Sequence, residues 1–139
     1  MQLLEIVTVG LPFCVFKIIA GLFFHQYWLT AFGVIDLLFN TANLFGVLVK
    51  KRRVVDTCFL AFLVRIFKKP RPERKSLWED FGNSLDVFLS FVIVALVVGG
   101  GFIPAFPALY LNLWNASVIL NVIGAGSGRM TSSIRNLKY

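Results

Sequence analysis

The sequence predicts an all-α integral membrane protein with four transmembrane helices in two hairpins and a cytoplasmic interfacial amphipathic helix. Of its 139 residues, 58% are hydrophobic and only 15% are charged, and the mean hydropathy is +0.78. A soluble domain of this size has about a quarter of its residues charged. The high apolar content excludes a disordered chain, and two cysteines are too few for a disulfide scaffold. We interpret residues 1–139 as a single membrane domain.

Four apolar runs are long enough to cross the ~30 Å hydrocarbon core of a bilayer, which needs ~20 helical residues. They cover approximately residues 4–24, 28–49, 83–103 and 106–125. The first two runs are separated only by a tight turn. Three glycines and two prolines at 99–107 end the third run and begin the fourth. Each pair of runs is therefore predicted to form a helical hairpin.

The basic residues predict the orientation of the chain. Every lysine and arginine except Lys17 lies in the central connection between the hairpins or in the basic tail, 126–139. The positive-inside rule then places both termini and the central connection in the cytoplasm, and we expect a bacterial inner membrane. We attribute the net charge of +7 to this topology and to anionic lipid, not to nucleic-acid binding. The side chains expected to contact anionic headgroups are Lys50, Lys51, Arg52, Arg53, Lys68 and Lys69.

The central connection contains an apolar stretch at about 54–67 with basic residues on both sides. It is too short to span a bilayer and too apolar to be solvated. The pattern predicts an interfacial or re-entrant helix lying along the cytoplasmic surface. A segment that docks on a partner subunit has the same pattern.

Two opposite charges lie within the first hairpin. Lys17 precedes the tight turn by about nine residues and Asp36 follows it by about ten. At 1.5 Å per residue they lie at nearly the same depth in the hydrocarbon. An isolated charge there costs at least ~2.5–3.5 kcal/mol. We therefore predict an ion pair between Lys17 and Asp36.

Other polar residues share faces of the predicted helices. Asp36, Asn40 and Asn43 follow at i, i+4 and i+7, which places them on one face. The corresponding polar stripes are Asn83, Asp86 and Ser90 on the third run and Asn112 and Asn115 on the fourth. Two interpretations stay open. The stripes form interhelical hydrogen bonds that fix packing, or they relay ions or protons, with Asp36 and Asp86 titrating and Lys17 as counter-ion.

The remaining reactive side chains give little sign of chemistry. His25 is expected to be an interfacial polar side chain, with axial ligation of a chlorin or haem as the alternative. The two cysteines are expected to be small buried hydrophobes. The sequence contains no zinc-like ligand spacing and no GxSxG, HExxH or P-loop motif. We therefore expect no cofactor, no metal and no enzymatic activity.

These observations favour a non-enzymatic accessory or assembly subunit of a larger membrane complex. The chain is small, has no catalytic motif, and has an apolar central segment that nothing in the predicted fold covers. The expected partners are membrane lipids and either other membrane subunits or further copies of the chain. A third class is a lipid- or pigment-binding membrane protein. The main alternative is a small homo-oligomeric channel or transporter with a polar file of Lys17, Asp36, Asn40 and Asn43.

Overall fold

The computed structural model describes residues 2–55, 58–68 and 75–136, and all regular secondary structure in these ranges is helical. Four helices are long and apolar enough to span a membrane, and each corresponds to one predicted run. They cover Leu3–Phe23, Tyr27–Lys50, Asp80–Gly99 and Ala108–Ser127. The third of these spanning helices ends at Gly99 and not at 103 as predicted. Gly101 has a φ of 69°, and a separate 3-10 turn follows at Ile103–Ala105.

We number the helices along the chain. Helix α1 consists of three consecutive stretches: α-helical Gln2–Glu5, π-helical Ile6–Gly10 and α-helical Leu11–Phe23. The others are α2 (Tyr27–Lys50), α3 (Phe59–Lys68), α4 (Lys75–Gly99) and α5 (Ala108–Asn136). The π-helical stretch precedes Pro12, which has no N–H to donate to the preceding turn. The wider turn accommodates that missing hydrogen bond.

Helix α1 lies at the centre and packs against α2, α4 and α5. In the most apolar part of each spanning helix, the buried share is 56% for α1, 28% for α2 and for α4, and 11% for α5. Phe16 of α1 packs on Trp114 of α5, with ring centroids 4.7 Å apart. Helix α2 approaches α1 closely at Gly33, where a Cβ atom would lie 2.9 Å from the Cβ atom of Lys17.

Helices α4 and α5 are joined by a short turn but make few contacts with each other, because both pack on α1. A groove separates them, with Phe91 on one side, Val122 on the other and Phe13 of α1 between. We call the end of the bundle that carries Lys50 the basic end, and the end with the two short turns the turn end.

The segment after α2 turns back into the fold. Lys51 has a φ of 54°, and the chain then runs back along α2. The backbone N–H groups of Val54 and Val55 each donate to Oδ1 of Asn43 at 3.0 Å. The N–H of Phe59, at the start of α3, donates to Oδ1 of Asp36 at 2.6 Å.

Helix α3 therefore lies between α2 and α4. The Phe59 ring packs against Phe32 of α2 with centroids 5.5 Å apart. A Cβ atom on Gly82 of α4 would lie 2.5 Å from the Cα atom of Ala61. Val54 lies beside Gly46 of α2, and α3 runs towards the basic end between α2 and α4. The interfacial or re-entrant position of 54–67 relative to the membrane stays a prediction.

Candidate functional site

Three charged side chains from three helices meet inside the bundle. The Lys17 ammonium of α1 bonds to Oδ2 of Asp36 on α2 at 2.5 Å and to Oδ1 of Asp86 on α4. Lys17 is 0% exposed and Asp36 1% exposed. We call Lys17, Asp36 and Asp86 the charge cluster. With all three groups ionised it has a net charge of −1.

The two carboxylates of the charge cluster differ in their remaining partners. Both oxygens of Asp36 are bonded, one to Lys17 and one to the N–H of Phe59. The N-terminus of α3 thus points at this carboxylate, where the helix dipole favours negative charge. Oδ2 of Asp86 receives no hydrogen bond from any described residue. The Asp86 side chain is also the more accessible, at 11% exposed.

A cavity of about 80 Å³ with both polar and apolar walls leads to Asp86 from the basic end. Its rim includes Glu5 and Arg53, which form an ion pair at 2.7 Å. The π-helical stretch of α1 lines one wall. The polar side chains along its walls are Asn40, Asn43, Asn83 and Asp86. A cavity of this size and polarity has room for a few water molecules.

Several predicted site residues surround the charge cluster. The Asn40 amide donates to the backbone oxygen of Asp36 at 3.0 Å, and the Ser90 hydroxyl donates to that of Asp86 at 2.9 Å. Asn43 accepts the two N–H groups of the segment before α3. The stripes on the second and third runs therefore meet at one site.

The stripe on the fourth run does not join them. Asn112 and Asn115 are exposed on the side of α5 that faces away from α1. These two amides are therefore outside the site.

The predicted lipid-contacting residues divide into two groups. Lys50, Lys51 and Arg52 are exposed at the basic end. Arg53 is half-buried at the cavity rim and pairs with Glu5, so it is not a free basic side chain. The side chain of Lys68 and the whole of Lys69 lie outside the described part of the structure.

Sequence reasoning missed two features of this site. Asp86 was assigned to a separate stripe on the third run, and its direct contact with Lys17 was not predicted. The N–H of Phe59 as a partner of Asp36 could not be inferred, since it depends on the path of the segment after α2. The available signal for Asp86 was its charge, since a carboxylate in an apolar run needs compensation and Lys17 is the one basic residue outside the central connection and the tail.

Within the described ranges, no three His, Cys, Asp or Glu side chains are grouped so that they could bind a metal ion. His25 is exposed at the turn end, and both cysteines are buried with free thiols. No protein-family model, curated protein or solved structure matches the chain.

Proposed function

We propose that the protein is a small, non-enzymatic membrane transport protein that takes up and releases a proton at Asp86. The observation that carries the proposal is the position of this carboxylate, which has one oxygen on the buried Lys17 ammonium and lines the cavity that opens at the basic end. Carboxylates at such positions in membrane proteins mark proton and ion pathways.

The charge balance of the cluster supports proton binding. Two carboxylates and one ammonium carry a net charge of −1 among apolar helices, where an uncompensated charge costs several kcal/mol. Both carboxylate oxygens of Asp36 already accept hydrogen bonds, so Asp86 is the carboxylate left to bind a proton. Protonation of Asp86 makes the cluster neutral.

A proton fits the site better than a metal ion does. Sodium or calcium sites need several oxygen ligands around an open space, and Ca²⁺ takes six to eight. The Lys17 ammonium already lies between the two carboxylates. A second cation next to it would be repelled.

The charge cluster also connects protonation to helix movement. The ammonium of Lys17 bonds α1 to both α2 and α4. A proton on Asp86 removes the charge that attracts Lys17 to α4, while the bond to Asp36 remains. The proposal requires that α4 then shifts relative to α1 and that this shift opens Asp86 towards the turn end. In this proposal the basic end faces the cytoplasm of a bacterial inner membrane.

Proton flux through the purified full-length chain in liposomes tests the proposal. A potassium gradient with valinomycin drives uptake, and an internal pH-sensitive dye reports it. We expect flux with the wild-type chain and none with Asp86→Asn. Asp80→Asn removes the same charge at an exposed position of the same helix and should leave the flux unchanged. Wild-type flux equal to that of empty liposomes, or equal to that of Asp86→Asn, contradicts proton transport.

The second candidate function is that of an accessory or assembly subunit in a larger membrane complex. It is favoured by α5, which packs mainly on α1 and leaves most of its spanning surface uncovered. Native mass spectrometry after mild extraction from the host membrane tests it. A particle that contains other polypeptides supports this function, and a particle made only of this chain opposes it.

A further inference from the structure

An apolar groove of about 790 Å³ opens between α2 and α4 towards the turn end. Helix α1 lines it with Ala20, α2 with Leu29, and α4 with a row of apolar residues that begins at Leu89. Among the described residues that line the groove, only Gln26 and Trp28 have a polar side-chain atom. In a bilayer, a groove with such walls is filled by hydrocarbon and not by water.

The groove is the part of the gap between α2 and α4 that α3 does not fill. Helices α2 and α4 make few contacts with each other. Nearer the basic end α3 separates them, with Phe59 packed on Phe32 of α2 and Ala61 close to Gly82 of α4. Helix α3 therefore closes the gap on the basic side, and the groove is open only on the side of the turn end.

The depth of the groove matches one leaflet of a bilayer. Ala20 follows Lys17 by three residues and Leu89 follows Asp86 by three, so the groove begins about one helical turn from the charge cluster. From Leu89 to the end of α4 at Gly99 the distance is about 15 Å, half of the ~30 Å hydrocarbon core. A spanning helix of a partner needs the whole thickness, and α3 occupies the other half. The acyl chains of a lipid in the leaflet at the turn end need only this half.

The mouth of the groove has the features of a headgroup region. Gln26 and Trp28 are exposed there, and the indole N–H of Trp28 donates to Oε1 of Gln26 at 3.0 Å. Tryptophan is enriched where a membrane meets water. The turn end carries no lysine or arginine, so it has no such side chain to hold an anionic headgroup.

We propose that this groove is a binding site for one zwitterionic phospholipid of the leaflet at the turn end. Its acyl chains lie along α4 as far as Leu89, and its headgroup lies beside Gln26 and Trp28. The proposal does not depend on proton transport, since no member of the charge cluster lines the groove.

Photo-cross-linking in liposomes tests the lipid site. The probe is a phosphatidylethanolamine with a diazirine at the end of one acyl chain, and peptide mass spectrometry locates its cross-links on the full-length wild-type chain. We expect them to concentrate at residues 89–93 of α4, where the groove ends. A diazirine next to the glycerol should instead label residues 96–102. Cross-links spread evenly over exposed positions such as Ile119 would show ordinary lipid contact and overturn the site.

A matched pair of variants tests whether the groove itself holds the lipid. Val92→Trp places a large ring in the groove. Val98→Trp makes the same change about 120° around α4, at an exposed position outside the groove. We expect Val92→Trp to abolish the cross-links at 89–93 and Val98→Trp to retain them. Equal cross-linking of the two variants contradicts the proposal, and the wild-type map decides it even where Val92→Trp does not fold.

Two further results would overturn the lipid site. Native mass spectrometry could find another polypeptide or a second copy that is lost only in Val92→Trp, which assigns the groove to a protein partner. Phosphatidylglycerol could displace the probe more strongly than unlabelled phosphatidylethanolamine does, which contradicts an uncharged mouth. Because none of these measurements uses flux, failure of the lipid site and failure of proton transport are separable.

Discussion

Lys17 connects three helices through a single ammonium group. Its side chain is fully buried, and its two carboxylate partners come from α2 and α4. The Phe32 ring lies 4.9 Å from the same nitrogen and adds a cation–π contact. Breaking one partner of a buried ion pair is costly because it leaves the other charge without compensation.

Lys17→Met therefore leaves Asp36 and Asp86 close together without their cation. We expect the free energy of unfolding to fall by about 3–5 kcal/mol, the usual cost of an uncompensated buried charge. Adding Asp36→Asn and Asp86→Asn should recover part of the loss. Denaturant unfolding of the detergent-solubilised chain measures these differences. Lys50→Met, at an exposed position, is the control. Simple addition of the three separate losses would show that the side chains do not interact.

Cys58 is a second residue whose environment predicts a measurable property. Burial, together with the negative charge of Asp86, raises the pKa of the Cys58 thiol from 9.0 to about 12. At pH 8 the reactive thiolate is then about a thousandfold rarer than for an ordinary cysteine. In a Cys14→Ala background we expect maleimide to label Cys58 very slowly at pH 8. Labelling as fast as that of an exposed cysteine at Tyr27 contradicts this burial.

Part of the charge cluster could be predicted from residue positions alone. Counting residues from the tight turn placed Lys17 and Asp36 at one depth, and the two side chains lie in contact. The same counting does not find Asp86, because Asp86 lies further from the end of α4 at Gly99 than Lys17 and Asp36 lie from the ends of their helices. It also gave no means of distinguishing inward from outward amides, so Asn112 and Asn115 were grouped with residues that they do not approach.

At the scale of elements, α3 was the hardest feature to predict. A short apolar stretch with basic flanks suits the surface of a membrane and the inside of a bundle equally well. Its position depends on hydrogen bonds to Asn43 and Asp36, which lie far away in sequence. The membrane-spanning parts of α1, α2, α4 and α5 followed more directly, since hydropathy and bilayer thickness set them, although α5 continues past its spanning part to Asn136.

The contact between α3 and α4 depends on Gly82. A methyl group at this position would lie 2.5 Å from the backbone of Ala61, so Gly82→Ala must push the two helices apart. We expect a loss of about 1–3 kcal/mol in unfolding free energy, typical of overpacking. Faster labelling of Cys58 should accompany it. Gly99→Ala is the matched control on the same helix, because a methyl group there meets nothing within 4 Å. Equal effects of the two substitutions contradict the close contact.

At the scale of the whole molecule, α1 is the element around which the others pack. Sequence order suggests two separate hairpins, but α1 contacts α4 and α5 more extensively than these two helices contact each other. Short connections restrict which helix ends are adjacent, and they do not determine which faces pack. The central position of α1 follows from its large buried side chains, among them Phe13 and Phe16.

The orientation of the whole molecule gives the last prediction. The exposed basic residues Lys50, Lys51 and Arg52 lie at one end, and the turn end carries no lysine or arginine. The positive-inside rule therefore predicts that the basic end faces the cytoplasm. We expect a membrane-impermeant maleimide to label Tyr27→Cys in intact cells and Lys50→Cys only after permeabilisation. The wild-type chain is the control, since both native thiols are buried. The reverse pattern would place the basic end outside, and Asp86 would then take up protons from the opposite compartment.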